Sequence, residues 1–279
     1  MLFRSGTWQR PGPPPPLVLA ECVPGGTTTA QAVLSGLGIE AGGMVSGSLA
    51  RPAHALKADL VARGLAAVRA AGDQRHRIDP SGGRIEQSLD SPADPLAVVA
   101  ALGDPMQPLA AGLLLAAAAC ERPLLLAGGS QMAAVLALAM ALAPPALLPR
   151  LIALTAIGTT AWVAWEGDSD LALLLRRIGQ RWNQEPLAFA ASLRFHGPIH
   201  PALADYERGY VKEGVGAGGL ALLWELAGRS PAALAKACDR ACRTLLGPAD
   251  APPACPLRPS SAAARDRGGS PGDLRSGDG

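Results

Sequence analysis

The chain has 279 residues, 49% hydrophobic and 17% charged, with a formal net charge of +2 at neutral pH. That length is enough for one large α/β domain with a substantial core. The near-neutral charge and an aromatic content of only 4% argue against a basic nucleic-acid face, a stacking platform or a charged membrane-binding surface.

Met1 to Pro16 is a proline-rich run without an apolar signal-peptide region. It reads as a disordered or artefactual leader, and the expectation is that a true N-terminal part of the gene product is missing. The domain is expected to span 17–247. Leu17–Ala20 predicts a buried strand, followed by Glu21 and a Pro24-Gly25-Gly26 turn. Thr27, Thr28 and Thr29 then open an apolar helix, which their hydroxyls are expected to cap. A strand that feeds a glycine turn into a helix start brings backbone N–H groups to bear on an anion. A phosphate cradle and a merely capped helix both fit this local pattern.

Gly42 to Ser48 predicts a short strand ending in small hydroxyl residues, Ser46 and Ser48 around Gly47. Pro52 to Ala71 predicts an amphipathic helix with Ala53, Leu56, Leu60, Val61 and Leu65 as its apolar stripe. Lys57 in its first turns reads locally as a solvated charge. Gly72 to Asp90 is a polar connection with a surface His76. Two helices, Asp94–Leu102 and Gln107–Cys120, are separated by Gly103-Asp104-Pro105. Pro123–Ala127 is a continuous apolar run, as expected for a strand buried on both faces, and it ends in Gly128-Gly129-Ser130. Met132–Pro149 predicts a buried helix stopped by Pro144-Pro145 rather than a membrane span.

Leu151–Ile157 predicts a third buried strand running into Gly158-Thr159-Thr160. Trp162 and Trp165 follow, with packing preferred over a pocket role, and then a helix over Asp170–Gly179. Pro186–Phe195 reads as another strand. His196 and His200 flank a turn, and a metal role for them is weak. Pro201–Arg208 is a helical turn. Glu213 lies in a glycine-rich segment that includes Gly214 and Gly216, before a helix over Leu220–Leu226. Burial there would raise its pKa and suit it to proton abstraction. A carboxylate favoured by the helix dipole is the alternative. Ser230–Leu246 is a last helix with Ser230 as N-cap, Pro231 at the first position and Gly247 past its end. The segment 248–279 reads as a disordered tail. The five cysteines (Cys22, Cys120, Cys238, Cys242 and Cys255) are odd in number and hold no CxxC. They read as reduced thiols of a cytoplasmic protein. Cys238 and Cys242 are four apart, but no nearby histidine completes a metal site. The alternation of strands, small-residue turns and helices predicts a Rossmann-like parallel sheet flanked by helices, a three-layer α/β/α fold.

Four segments in order carry a family resemblance. They are ECVPGGTTTAQAVLSGLG, VSGS followed by Lys57, DPLAVVAALGDPMQPLAAGLLLAAAACERPLLLAGGS, and YERGYVKEGVGAGG. Together they resemble the nicotinate-nucleotide–dimethylbenzimidazole phosphoribosyltransferase family, in its archaeal and cyanobacterial branch. The resemblance runs from about Leu17 to Leu246. It implies transfer of phosphoribose from nicotinate mononucleotide to a lower-ligand base such as dimethylbenzimidazole, giving an α-ribazole phosphate for cobamide assembly. It implies no metal or organic cofactor, and a homodimer. By the same resemblance, Glu21, Gly25, Gly26, Thr27, Thr28 and Thr29 would hold the ribose phosphate. Ser46, Gly47 and Lys57 would lie near the phosphate, Gly128, Gly129 and Ser130 beside the nucleotide, with Gly214 and Gly216 also in the site. Glu213 would be the catalytic base.

The chain departs from the family in three places. It has Gly-Gly-Thr-Thr-Thr where the bacterial form has an asparagine-threonine pair. His196 and His200 do not reproduce the histidine segment before the catalytic glutamate. The N-terminal region that helps form the acceptor-base pocket in the family is expected to be missing from this chain. Two other readings stay open: an inactive or regulatory nucleotide-binding homologue, and a sugar-phosphate isomerase-like domain.

Overall fold

The computed structural model of the protein describes residues 15–47, 53–76 (71–76 by backbone alone), 94–197 and 199–246. Most of the leader, Ser48, the polar connection beyond His76, Gly247, Cys255 and the tail lie outside the described residues. Four parallel strands form one sheet in the order β1 (Leu17–Ala20), β2 (Leu124–Ala127), β3 (Thr155–Thr160) and β4 (Leu187–Ala191). The register pairs Leu17 with Leu124, Leu124 with Thr155, and Ala156 with Leu187. The connections are α1 (Gly26–Gly36), α2 (His54–His76), α3 (Pro95–Leu102) and α4 (Met106–Ala119), then α5 (Ser130–Leu142) and α6 (Leu148–Leu154), then α7 (Ala161–Ala164) and α8 (Leu171–Trp182). After β4 come α9 (Pro201–Glu207), α10 (Ala217–Leu226) and α11 (Pro231–Leu246).

Sequential strand order explains the layering. Right-handed crossovers between successive neighbours all fall on the same face of a sheet. Leu124, Leu126 and Ile157 point into the large core built there by α1, α3, α4, α5, α6 and α8. The other face is covered by the chain after β4, joined by Trp162 of α7. Here α10 lies on β2, β3 and β4, and Trp162, Phe195, Leu203 and Ala221 form a smaller core. The result is the expected Rossmann-like, three-layer α/β/α fold. Glycines let α10 approach the sheet closely. A Cβ on Gly218 would lie 2.0 Å from the Thr159 carbonyl carbon, and one on Gly219 2.3 Å from Ala127 Cβ.

β2 is buried along its whole length, as its apolar run predicts. The helices expected to open at Asp94 and Asp170 do so, with those side chains capping Leu96 N and Leu173 N. Other elements differ from expectation. β1 is an edge strand and largely exposed, with Leu17 at 38% and Val18 at 39%. The third strand begins at Thr155, because Leu151–Leu154 ends α6 and packs into the helical layer. Residues 42–44 form a turn and 45–47 follow as irregular chain rather than a strand. β4 stops at Ala191, well short of Phe195. Helix α2 buries Lys57 and Val61 but exposes Leu56 and Leu60, since its contacts with α1 and α3 select the face. The N-cap of α1 is Gly25, in the left-handed conformation at φ 74°, and no side chain caps this helix. The three threonines lie inside its first turns, so none of them is a cap.

Candidate active site

The segment after β1, the starts of α1, α2 and α5, Tyr206 of α9 and the loop before α10 line a cleft of about 460 Å³. Its lining includes Glu21, Gly25, Gly26, Thr27 and Thr28 on one side, Gly47 and Lys57 on another, and Tyr206, Glu213 and Gly214 opposite. The uncapped N-terminus of α1 therefore opens onto the same space as a buried ammonium. Such a combination attracts an anion.

Glu213 is held from both sides. Oε2 accepts from Thr160 N at 2.9 Å and Thr159 Oγ1 at 3.2 Å, and Oε1 from Gly218 N at 2.9 Å and Gly214 N at 3.3 Å. The donors come from the end of β3 and the start of α10, which is why the close glycine contact between those elements matters. Burial raises the Glu213 pKa above the ordinary carboxylate range, and the four hydrogen bonds pull it partly back. The group is thus a stronger proton acceptor than an exposed glutamate, fixed in place on the cleft wall.

Glu21 is also raised, first by burial and also by Asp104, against hydrogen bonds that lower it. Its Oε2 accepts from Val23 N at 2.8 Å and its Oε1 from Gln131 Nε2 at 3.0 Å. Gln131 belongs to α5 and lines the cleft, and its own Oε1 is buried without a protein partner. A Cβ on Gly26 would lie 2.0 Å from that oxygen, so a glycine at this point makes room for the amide. Glu21 and Gln131 together present acceptor oxygens suited to the hydroxyls of a sugar.

Lys57 Nζ donates to Ser46 O at 2.8 Å and Val45 O at 3.4 Å. Burial lowers its pKa, Glu166 raises it and Lys212 lowers it. A Cβ on Gly47 would stand 3.2 Å from Nζ.

Several anticipated residues lie behind the wall rather than on it. Thr29 Oγ1 bonds Gly26 O and Asp104 Oδ2, both at 3.0 Å, and braces the first turn of α1. Ser130 Oγ accepts from Ser46 N at 3.0 Å and anchors the Ser46 loop. Gly128 packs on Met132 and Gly129 on Val163. Gly216, at φ 75°, lies against Ala20 and Ala127.

His200 caps α9, and His196 is exposed. Cys238 and Cys242 pack against the smaller core. Among the described residues no group of three His, Cys, Asp or Glu side chains is placed to hold a metal, and no helix is long and apolar enough to cross a membrane. Trp162 packs with Phe195 and Tyr206 at centroid distances of 5.2 and 4.7 Å, whereas Trp165 is 77% exposed.

Sequence reasoning assigned no role to Gln131, Thr159, Thr160, Glu166, Tyr206 or Lys212. One signal was available for Lys212. The chain has three lysines (Lys57, Lys212 and Lys236) against 22 arginines; two of them are buried, Lys57 in the cleft lining and Lys212 next to Glu213. In so arginine-rich a chain, a lysine marks a position to weigh for a role of its own.

No family model matches the chain. It is similar to cyanobacterial proteins named UPF0284 proteins. It is 47% identical over 238 residues to one from Prochlorococcus marinus, covering 83% of this chain and 54% of the relative. It is 48% identical over 225 residues to one from Gloeobacter violaceus, covering 80% and 53%. A Nostoc relative is 43% identical over 207 residues, covering 72% and 51%. The chain spans about half the length of the curated relatives it matches.

Proposed function

We propose that this protein transfers the phosphoribosyl group of nicotinate mononucleotide to a ring nitrogen of an aromatic base, in the assembly of a cobamide nucleotide. The observation that carries the reading is the convergence of Glu213, Lys57 and the uncapped start of α1 on one cleft from segments far apart in the chain. Cyanobacterial relatives are compatible with the branch that the sequence motifs resemble.

In this reading the phosphate lies against Gly25, Gly26, Thr27 and the Lys57 ammonium. The ribose hydroxyls meet Glu21 and Gln131. A ring nitrogen of the incoming base forms a bond to C1′ as the bond from C1′ to the nicotinate nitrogen breaks. The bonding pair returns to the pyridinium ring and neutralises it. The N–H proton of the base passes to the Glu213 carboxylate. Positive charge on C1′ is greatest midway, where Glu21 and Glu213 face it in an enclosed site. Tyr206 offers an aromatic wall next to Glu213. Location in the cytoplasm and a homodimer belong to the same reading.

The test is incubation with nicotinate mononucleotide and dimethylbenzimidazole or adenine, with nicotinate release as the readout. Glu213→Gln is expected to retain nucleotide binding and lose turnover. Nucleotide binding without nicotinate release, whichever base is supplied, would favour a regulatory or inactive binder. No binding at all would sink both readings.

A further inference from the structure

Glu166 follows α7, and its side chain is only 5% exposed. It does not line the cleft, yet its carboxylate joins both sides of it. Oε1 pairs with the Lys212 ammonium, itself 7% exposed. Oε2 accepts from Ser46 Oγ at 2.5 Å and Ser169 Oγ at 2.6 Å. The Ser46 carbonyl in turn accepts from Lys57 Nζ. On the other side, the Lys212 carbonyl accepts from Thr160 Oγ1, and the next residue is Glu213, bonded to Thr160 N. One buried carboxylate therefore pairs with one buried ammonium and is linked through Ser46 to a second. Burying a pair of charges is costly unless its geometry is well satisfied. Apart from the local Ser169 contact, these hydrogen bonds lead to the two segments that supply the phosphate side and the base side of the cleft.

We propose that Glu166 is a positioning residue, whose carboxylate holds the Ser46–Lys57 side and the Lys212–Glu213 side of the cleft in one register and compensates the charge of Lys57. The assignment of those two sides rests on the transferase reading; the linkage itself does not. Glu166 and Lys212 are the charged groups acting on Lys57. Glu21 and Glu213 line the same cleft, and His54, on the same helix as Lys57, is engaged by the Asp168 carbonyl.

The three lysines of the chain make a direct test feasible. The full-length protein is labelled with carbon-13 at lysine Cε and titrated by NMR, with Lys57→Arg, Lys212→Arg and Lys236→Arg assigning the signals. Exposed Lys236 serves as the internal reference. Glu166→Gln is expected to lower the Lys57 midpoint by about one pH unit, since an opposite charge is lost while burial and Lys212 remain. It should also speed amide exchange at Thr160 and Gly218, the donors to Glu213, by roughly tenfold. Ser169→Ala removes a hydrogen bond and keeps the charge, so it should leave the midpoint in place. Glu166→Asp retains the charge one carbon further back and should give a smaller downward shift. It carries the test if Glu166→Gln does not fold. An unshifted Lys57 midpoint in the glutamine variant, or in the aspartate variant where that one carries the test, overturns the proposal, as does unaltered exchange at Thr160 and Gly218.

Nicotinate mononucleotide binding is measured alongside by calorimetry. Its alkaline loss of affinity should move down together with the Lys57 midpoint. A wild-type protein that does not bind the nucleotide refutes the transferase reading, while the Lys57 titration still decides the role of Glu166.

Discussion

Gly218→Ala tests the contact on which the Glu213 geometry depends. An alanine Cβ at this position would stand 2.0 Å from Thr159 C and 2.2 Å from Thr160 N. Ordinary contact begins near 3.4 Å, so the overlap is about 1.4 Å. The clashing atoms are backbone of β3, where Thr159 and Thr160 are 2% and 1% exposed, and they have no side-chain freedom with which to yield. The first turn of α10 must retreat instead. That movement pulls Gly218 N away from Glu213 Oε1, now 2.9 Å distant, and loosens the neighbouring contact of Gly219 with Ala127. Overpacking of this kind costs about 3 kcal/mol, and the lost hydrogen bond to a carboxylate adds roughly 1.5 kcal/mol. The expected fall in Tm is about 9–18 °C for a domain of this size. Glu213 also loses a donor that favours its charged form, so its pKa should rise further. Gly214→Ala is the control, since its Cβ would meet nothing within 4 Å, and it should stay within about 0.5 kcal/mol of wild type. Urea denaturation of the three proteins measures the difference. A Gly218→Ala protein as stable as Gly214→Ala would refute the argument that α10 is seated by backbone contact.

Four further outcomes follow from the same geometry. Turnover should rise with pH along a limb lying above the ordinary carboxylate range, because Glu213 must lose its proton to act and burial holds that proton on; a pH–rate profile checks this. A raised folded-state pKa also means that the contribution of Glu213 to stability is full below its unfolded value and falls as pH climbs through the folded one. Glu213→Gln should therefore flatten the pH dependence of denaturation across that window. Gly47→Ala puts a methyl 3.2 Å from Lys57 Nζ, and its displacement of the ammonium should weaken nicotinate mononucleotide binding several-fold by calorimetry, whereas Lys57→Ala should weaken it more. Asp170→Ala removes the cap on Leu173 N at 2.7 Å and should cost about 1 kcal/mol in thermal denaturation without altering nucleotide binding.

Features governed by local chemistry were legible in the sequence. Asp94, Asp170 and Ser230 start helices because a short polar side chain satisfies an open N–H two or three residues on. Leu124–Ala127 reads as a fully buried strand because it carries no polar face. Glu213 stood out because glycines on its C-terminal side leave backbone N–H groups free to converge on a carboxylate at a helix start.

Lys57 illustrates what was not legible. Its helix carries leucines at 56 and 60 that look like the buried stripe, yet both are exposed and the lysine is enclosed. The choice of face was made by α1 and α3, which pack against α2. Similarly, Thr27 to Thr29 looked like caps until the left-handed Gly25 took the N-cap position. The pairing of Glu166 with Lys212 joins residues 46 apart, and no local pattern encodes such a distance. The sequence by itself determined where helices begin, which strand is sealed on both faces and which residues carry reactive groups, since these depend on neighbours a few positions away. Only the tertiary structure decided which of those groups share a cleft. That follows from the crossovers, which place the strand ends side by side and leave the opposite face to α10 and the smaller core around it.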